Sequence, residues 1–167
     1  RFNQVLAEIN DQFDKFRISE ALMATYKLVW DDFCSWYLEM IKPGYEQPID
    51  QQTLNQTLGF FEQLLKILHP FTPFVAEELY HALKPREAHD DIVIAAWPAV
   101  QQVNEAPLKR FAYNEKVIAN IRNIRKQNNI ANKVKLELYI KTEATHATES
   151  DSVIVKMGNL SVLSYVQ

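Results

Sequence analysis

The residue types that could do chemistry are scattered along this chain of 167 residues. Asp31 and Asp32 occupy adjacent positions of a predicted helix and point in different directions, which does not suit paired acid and base catalysis. Only three glycines are present, and they are far apart, so no glycine-rich phosphate loop exists. The histidines have no second histidine or cysteine at the spacing of metal ligands: His69, His81, His89 and His146. We therefore predict no catalytic residues, no metal site and no cofactor in this chain, which leaves a binding function.

Basic side chains are concentrated in one segment, although the formal net charge is -3. Residues 109–141 contain nine Lys or Arg and two Asp or Glu, a balance of +7. Lys116, Arg122 and Lys126 are predicted to face solvent on a helix over residues 108–127. Such a segment could contact phosphate groups. The alternative is an ordinary solvated helix face, and charge alone does not separate the two.

Apolar periodicity indicates long helices in the first two thirds of the chain. A broad apolar stripe runs from Ile18 to Met40 and ends at Pro43 and Gly44. Asp50 is placed to cap the next helix, which ends at residues 69–70. Thr72 is placed to cap another, with Pro73 at its first position. Within the first stripe we predict buried positions for three aromatic residues: Trp30, Phe33 and Trp36.

The pattern changes near the C-terminus. After the helix over residues 108–127, apolar residues alternate with polar ones over 133–141, which is the period of a half-buried strand. A short helix over 150–157 and a second strand over 160–166 follow. The sequence thus predicts a mainly α protein, with a helical bundle over residues 1–106 and a small α+β unit over residues 107–167.

Two runs carry a family resemblance. The run YKLVWDDFCSWYLEMIKP, residues 26–43, closely resembles the signature helix of the anticodon-binding domain of valyl-tRNA synthetases. The run LLKILHPFTPFVAEELY, residues 64–80, resembles the helix, break and helix that follow it in the valine, isoleucine and leucine enzymes. The resemblance implies an anticodon-binding helical bundle whose first helix is missing here, as in a C-terminal fragment. It also implies that tRNA, in particular tRNA(Val), is the partner.

The resemblance also indicates contact residues and an enzyme context. Unpaired anticodon bases are read by apolar or aromatic surfaces and by hydrogen bonds to base edges. Near the Pro43 end of the signature helix, the residues Tyr37, Leu38 and Lys42 are the candidates for such contacts. The parent family joins valine to tRNA with ATP and magnesium, but its ATP-binding signatures are absent from this chain. We expect that activity to belong to a catalytic domain of the same parent chain.

Two other interpretations stay open. The same domain could come from an isoleucyl- or leucyl-tRNA synthetase, since the second run is shared. A helical protein-interaction module without RNA binding would fit the acidic balance of residues 1–108, which contain 16 Asp or Glu and 8 Lys or Arg. One cysteine, Cys34, fits a reducing cytosol. With no long apolar run, we expect no insertion into a membrane. The family resemblance implies a cytoplasmic protein, and we expect a monomer.

Overall fold

Helices dominate the structure, a computed structural model that describes residues 1–142 and 150–166. The chain divides into two units, Arg1–Val103 and Asn104–Gln167, whereas the sequence predicted a division after residue 106. The mainly α class with a small sheet at its end is confirmed. The first unit contains α1 (Phe2–Asp14), α2 (Ile18–Lys27), a π-helix (Leu28–Leu38), α3 (Glu39–Ile41), α4 (Gln51–Leu68), α5 (Pro73–Leu83) and a 3-10 helix (Ile92–Ile94). The second contains α6 (Glu105–Gln127), β1 (Leu136–Lys141), α7 (Asp151–Gly158) and β2 (Leu160–Val166).

The core of the first unit has two neighbouring clusters. One joins α1, α2 and α4 through side chains that are fully removed from solvent, among them Leu6, Ile9 and Ile67. The other lies under α5 and is formed by Leu65, Ala76, Tyr80 and Ile92. The segment that follows α5 packs on the bundle, because Trp97 Nε1 donates to Asn10 Oδ1 at 2.9 Å and the Trp97 ring meets Phe13 edge-on.

The aromatic signature helix differs from the continuous α-helix that its spacing predicts. Residues 28–38 form a π-helix, and the Ser35 hydroxyl donates to the Trp30 carbonyl, five residues earlier, at 2.8 Å. A π-helix bonds residues five apart, so the spacing of three and four no longer selects one face. The predicted burial of Trp30 is wrong, because its side chain is 58% exposed. Phe33 and Trp36 are half-buried instead of fully buried.

Two predicted helix starts have different outcomes. Asp50 caps α4 as predicted, since its Oδ1 accepts the backbone N–H of Thr53 at 2.8 Å. That bond lowers the pKa of the Asp50 carboxyl below its ordinary value. Thr72 stands at the N-cap position of α5, but its hydroxyl donates back to the Leu68 carbonyl and does not cap. The Thr72 hydroxyl therefore satisfies a carbonyl at the end of α4, and not an N–H at the start of α5.

Glu62 ties α4 to the segment that follows α5. Its Oε2 lies 2.8 Å from Lys84 Nζ and 3.3 Å from Arg86 Nη2. The Arg86 side chain is only 2% exposed, with its guanidinium 3.1 Å from the centre of the Tyr80 ring. Burial by itself raises the pKa of Glu62, but the hydrogen bond from Lys84 and the nearby positive charges outweigh it. The pKa of this carboxyl therefore lies below its ordinary value.

The second unit is a pair of parallel strands packed on two helices. Strand β1 pairs with β2, with Leu138 opposite Leu163 and a register irregularity after Leu136. Ile121 of α6, Ile154 of α7 and Leu160 form its buried centre. Both predicted strands and the short predicted helix are present. The apolar periodicity of α6 predicts that Ile124 points inward, but this residue is 48% exposed.

Arg125 is a buried charge of the second unit and is 5% exposed. Its Nη1 donates to the Ala131 carbonyl at 3.1 Å. Its Nη2 donates to the carbonyls of Gly158 at 3.0 Å and Asn159 at 3.1 Å. Asn159 has a left-handed backbone with φ 50° and ends α7. Arg125 thus holds the turn that connects α7 to β2 against α6.

Candidate nucleic-acid interface

An apolar cavity of about 320 Å³ opens beside the π-helix in the first unit. The Phe33 and Tyr37 rings stack at 5.5 Å with 17° between their planes, and Phe60 meets Tyr37 edge-on at 5.6 Å. Flat aromatic surfaces of this kind are what an unpaired base stacks on. The cavity is lined by Arg1, Phe2, Asn3, Leu28, Asp32, Phe33, Tyr37, Phe60 and Leu64.

Polar groups stand among the aromatic walls. Arg1 Nε donates to Asp32 Oδ2 at 3.0 Å, so this ion pair contributes to the cavity lining. Tyr37 Oη and Thr57 Oγ1 lie 3.2 Å apart and share a hydrogen bond. A few polar groups in an apolar cavity can orient a ligand by pairing with its edges. The arrangement has the chemical character of a base-binding site.

The three predicted contact residues near Pro43 are separated by the structure. Tyr37 lines the cavity, while Leu38 is half-buried and does not line it. Lys42 is exposed, and its Nζ lies 3.4 Å from Glu39 Oε1. Sequence reasoning missed Phe60, which lines the cavity and is 44% exposed. The available signal was the wide apolar face of α4, which a single neighbouring helix cannot cover completely.

The second unit has a cleft of about 580 Å³ beside α6. Arg122 and Lys126 line it, whereas Lys116 is exposed on the same helix and does not. Asn159 Nδ2 donates to the Asn132 carbonyl at 2.7 Å, which holds the opposite wall together. The cleft combines exposed cations with amide groups, which are the usual donors to phosphate oxygens.

One further cluster lies between α5 and the start of the 3-10 helix. Among residues 1–142 and 150–166, the group that could supply metal ligands is formed by Glu77, His81 and Asp91. Glu77 Oε1 also accepts the backbone N–H of Ile92 at 3.0 Å. His146 lies outside the described residues. Within that same part of the chain, no helix has the length and apolar character that membrane crossing requires.

Comparison with known proteins identifies the family of the chain. The profile of the anticodon-binding domain of tRNA ligases matches residues 1–140. The chain belongs to this family. The predicted anticodon-binding domain is therefore confirmed for most of the sequence.

Similarity to individual proteins covers the whole anticodon-binding chain. It is 48% identical over 167 residues to the valine–tRNA ligase of Parabacteroides distasonis, with 100% of the chain aligned. It is 45% identical over 166 residues to that of Christiangramia forsetii and 30% identical over 171 residues to that of Thermotoga maritima. In each case the alignment covers 19% of the relative. The chain thus spans about a fifth of the length of these enzymes.

Proposed function

We propose that the chain is the tRNA-binding part of a valine–tRNA ligase and supports ATP-dependent joining of valine to tRNA(Val). The family match to an anticodon-binding domain supports tRNA as the partner. The similarity to valine–tRNA ligases along the whole chain supports valine over isoleucine and leucine. In this proposal the protein works as a cytoplasmic monomer. ATP and magnesium act at a catalytic domain of the same parent chain, outside these residues.

The aromatic cavity is the observation that carries the proposed mode of binding. An anticodon base turned out of its stack would enter beside the π-helix and lie against Tyr37 and Phe60. Transfer of the flat base from water onto apolar rings supplies affinity, while the polar groups near Asp32 discriminate base edges. Leu38 and Lys42 lie just beyond Tyr37 toward Pro43, where they would contact the neighbouring nucleotide and its phosphate.

The cleft of the second unit has a different role in the proposal. Arg122 and Lys126 would contact phosphates, with Lys116 adding to the local positive charge. Such contacts displace counterions and are independent of base sequence. They strengthen the complex with any tRNA, whereas the cavity selects among them.

Removing the Phe60 ring tests the cavity. Phe60→Ala is expected to weaken binding of tRNA(Val) by about 1–3 kcal/mol, the scale of one stacked base. Leu58→Ala is the matched control, because Leu58 lies on the same helix, is 36% exposed and does not line the cavity. Fluorescence anisotropy with labelled tRNA(Val) measures both. Equal affinities for the two variants would contradict base binding in the cavity.

Removing cations from α6 tests the phosphate contacts. Arg122→Ala and Lys126→Ala are each expected to reduce the slope of log K against log salt by about 0.7–0.9. The loss should be similar for cognate and non-cognate tRNA. Lys109→Ala is the control, since Lys109 is exposed on α6 and pairs with Glu105 at 3.0 Å. A slope that stays unchanged in both cleft variants would assign the two cations to the solvated helix face.

The same titration separates the alternative from another class. A protein-interaction module without an RNA role would show no binding to tRNA that falls with salt, because it would neutralise no phosphates. Absence of salt-dependent tRNA binding by the unmodified chain would therefore favour that alternative.

A further inference from the structure

We propose that Glu77, His81 and Asp91 form a binding site for a divalent transition metal of the zinc class. His81 Nε2 lies 3.0 Å from Glu77 Oε1 and 3.1 Å from Asp91 Oδ1. All three ligand atoms lie within 4.8 Å of one another. A tetrahedral ion with bonds of about 2.0 Å requires ligand atoms roughly 3.3 Å apart. Two of the three separations are thus close to that requirement.

The contact geometry of His81 favours a cation at the centre of the cluster. A neutral imidazole carries at most one hydrogen on Nε2, yet two carboxylate oxygens lie within bonding distance of that atom. A single hydrogen on Nε2 can make a well-aligned hydrogen bond to only one of these two carboxylates. A dication bound by the Nε2 lone pair would compensate both carboxylates at once, leaving a fourth position open to water.

The ligand types select the class of metal. One imidazole nitrogen with two carboxylate oxygens suits zinc and its neighbours in the first transition row. Magnesium and calcium require about six oxygen ligands, and this cluster supplies two carboxylates. The three side chains are 31–45% exposed, so an ion can enter from solvent.

The backbone beneath the cluster is held in place. Glu77 and His81 are four residues apart on α5 and share one face of the helix. Asp91 stands at the N-cap of the 3-10 helix, but its carboxylate makes no capping bond and lies beside His81 instead. The backbone N–H of Ile92, in the first turn of the 3-10 helix, instead donates to Glu77. Tyr80 and Ile92, directly below, are 3% and 4% exposed, so the ligands project from buried supports.

Zinc titration of the tag-free chain tests the site. We expect one equivalent of Zn²⁺ to bind in isothermal titration calorimetry, and Co²⁺ to give the visible absorption of a four-coordinate site. His81→Gln and Asp91→Asn should each weaken Zn²⁺ binding by at least about 10–100-fold, since losing a supporting group alone has that effect. His89→Gln is the control, because His89 is another exposed histidine of the same unit and should leave the affinity unchanged.

The outcomes are distinguishable. Failure of the unmodified chain to bind Zn²⁺, or wild-type affinity in His81→Gln, would overturn the proposal. Tryptophan fluorescence checks folding, because Trp30, Trp36 and Trp97 all lie in the first unit. If His81→Gln does not fold, Asp91→Asn decides: a tenfold or greater loss supports the site, and an unchanged affinity refutes it.

Discussion

Glu62→Gln is expected to lower the free energy of unfolding of the first unit by about 3 kcal/mol. Removing one partner of a buried ion pair costs about 3–5 kcal/mol, because the other charge is left without compensation. Arg86 is the buried partner here, with a side chain 2% exposed. We expect the lower end of that range because Asp90 Oδ2 stays 3.2 Å from Arg86 Nη1. Urea unfolding followed by tryptophan fluorescence measures the change in the unit that contains every tryptophan.

An exposed ion pair provides the control for Glu62. Asp11 lies 2.6 Å from Lys15, with both side chains about half exposed. Asp11→Asn should change stability by only about 0.5 kcal/mol, since solvent screens surface pairs. Similar losses in the two variants would show that burial of Arg86 does not determine the contribution of Glu62.

The effect of Glu62 should also depend on pH in a defined direction. Its pKa is lowered in the folded state from the ordinary value of 4.5. The stabilisation is therefore fully present above the unfolded pKa and is lost as pH falls through the folded pKa. The difference between wild type and Glu62→Gln should shrink below about pH 4.5. A difference that stayed constant into acid would contradict this assignment.

Arg125→Met is expected to destabilise the second unit by about 2–4 kcal/mol. A hydrogen bond to a charged group contributes about 1.5–3 kcal/mol. The substitution removes three such bonds, but they share one guanidinium, so their contributions do not add. The methionine recovers part of the loss by filling the space with apolar surface. The second unit contains no tryptophan, so fluorescence does not follow its unfolding. Amide hydrogen exchange in β2, measured by mass spectrometry, reports the loss of stability instead.

Two variants define the cause of that loss. Arg125→Lys should recover little, since a single ammonium cannot reproduce the planar fork that reaches carbonyls on two segments. Lys116→Met changes an exposed cation on the same helix that does not line the cleft, and it should leave exchange in β2 nearly unchanged. Protection of β2 in Arg125→Met equal to that in wild type would show that the buried guanidinium does not hold the turn.

Elements with strong local signals were predictable. The cap at Asp50, the break at residues 69–70 and the change from a helical to a strand period near residue 134 are each encoded by a few neighbouring residues. All three are present with small shifts in their bounds. Local chemistry of this kind acts within one or two turns of the chain, so it does not require knowledge of the fold.

The aromatic residues were harder to place. Trp30, Phe33 and Trp36 have the same apolar character in sequence, but the π-helix turns Trp30 outward and leaves the other two half-buried. Phe60 reaches the cavity wall for a related reason, because α4 offers more apolar surface than its neighbours cover. Hydrophobicity alone does not distinguish a buried ring from one that lines a cavity.

The sequence by itself determined the family, the mainly α class and the basic character of α6. Local periodicity and two aromatic runs carry that information in residues that are close together in the chain. Only the tertiary structure decided which distant groups meet: Tyr37 with Phe60, Glu62 with Arg86, Arg125 with the turn at Gly158, and His81 with Asp91. Each of these contacts depends on how separate elements pack, and packing is set by the shape of the whole core and not by the spacing of neighbouring residues.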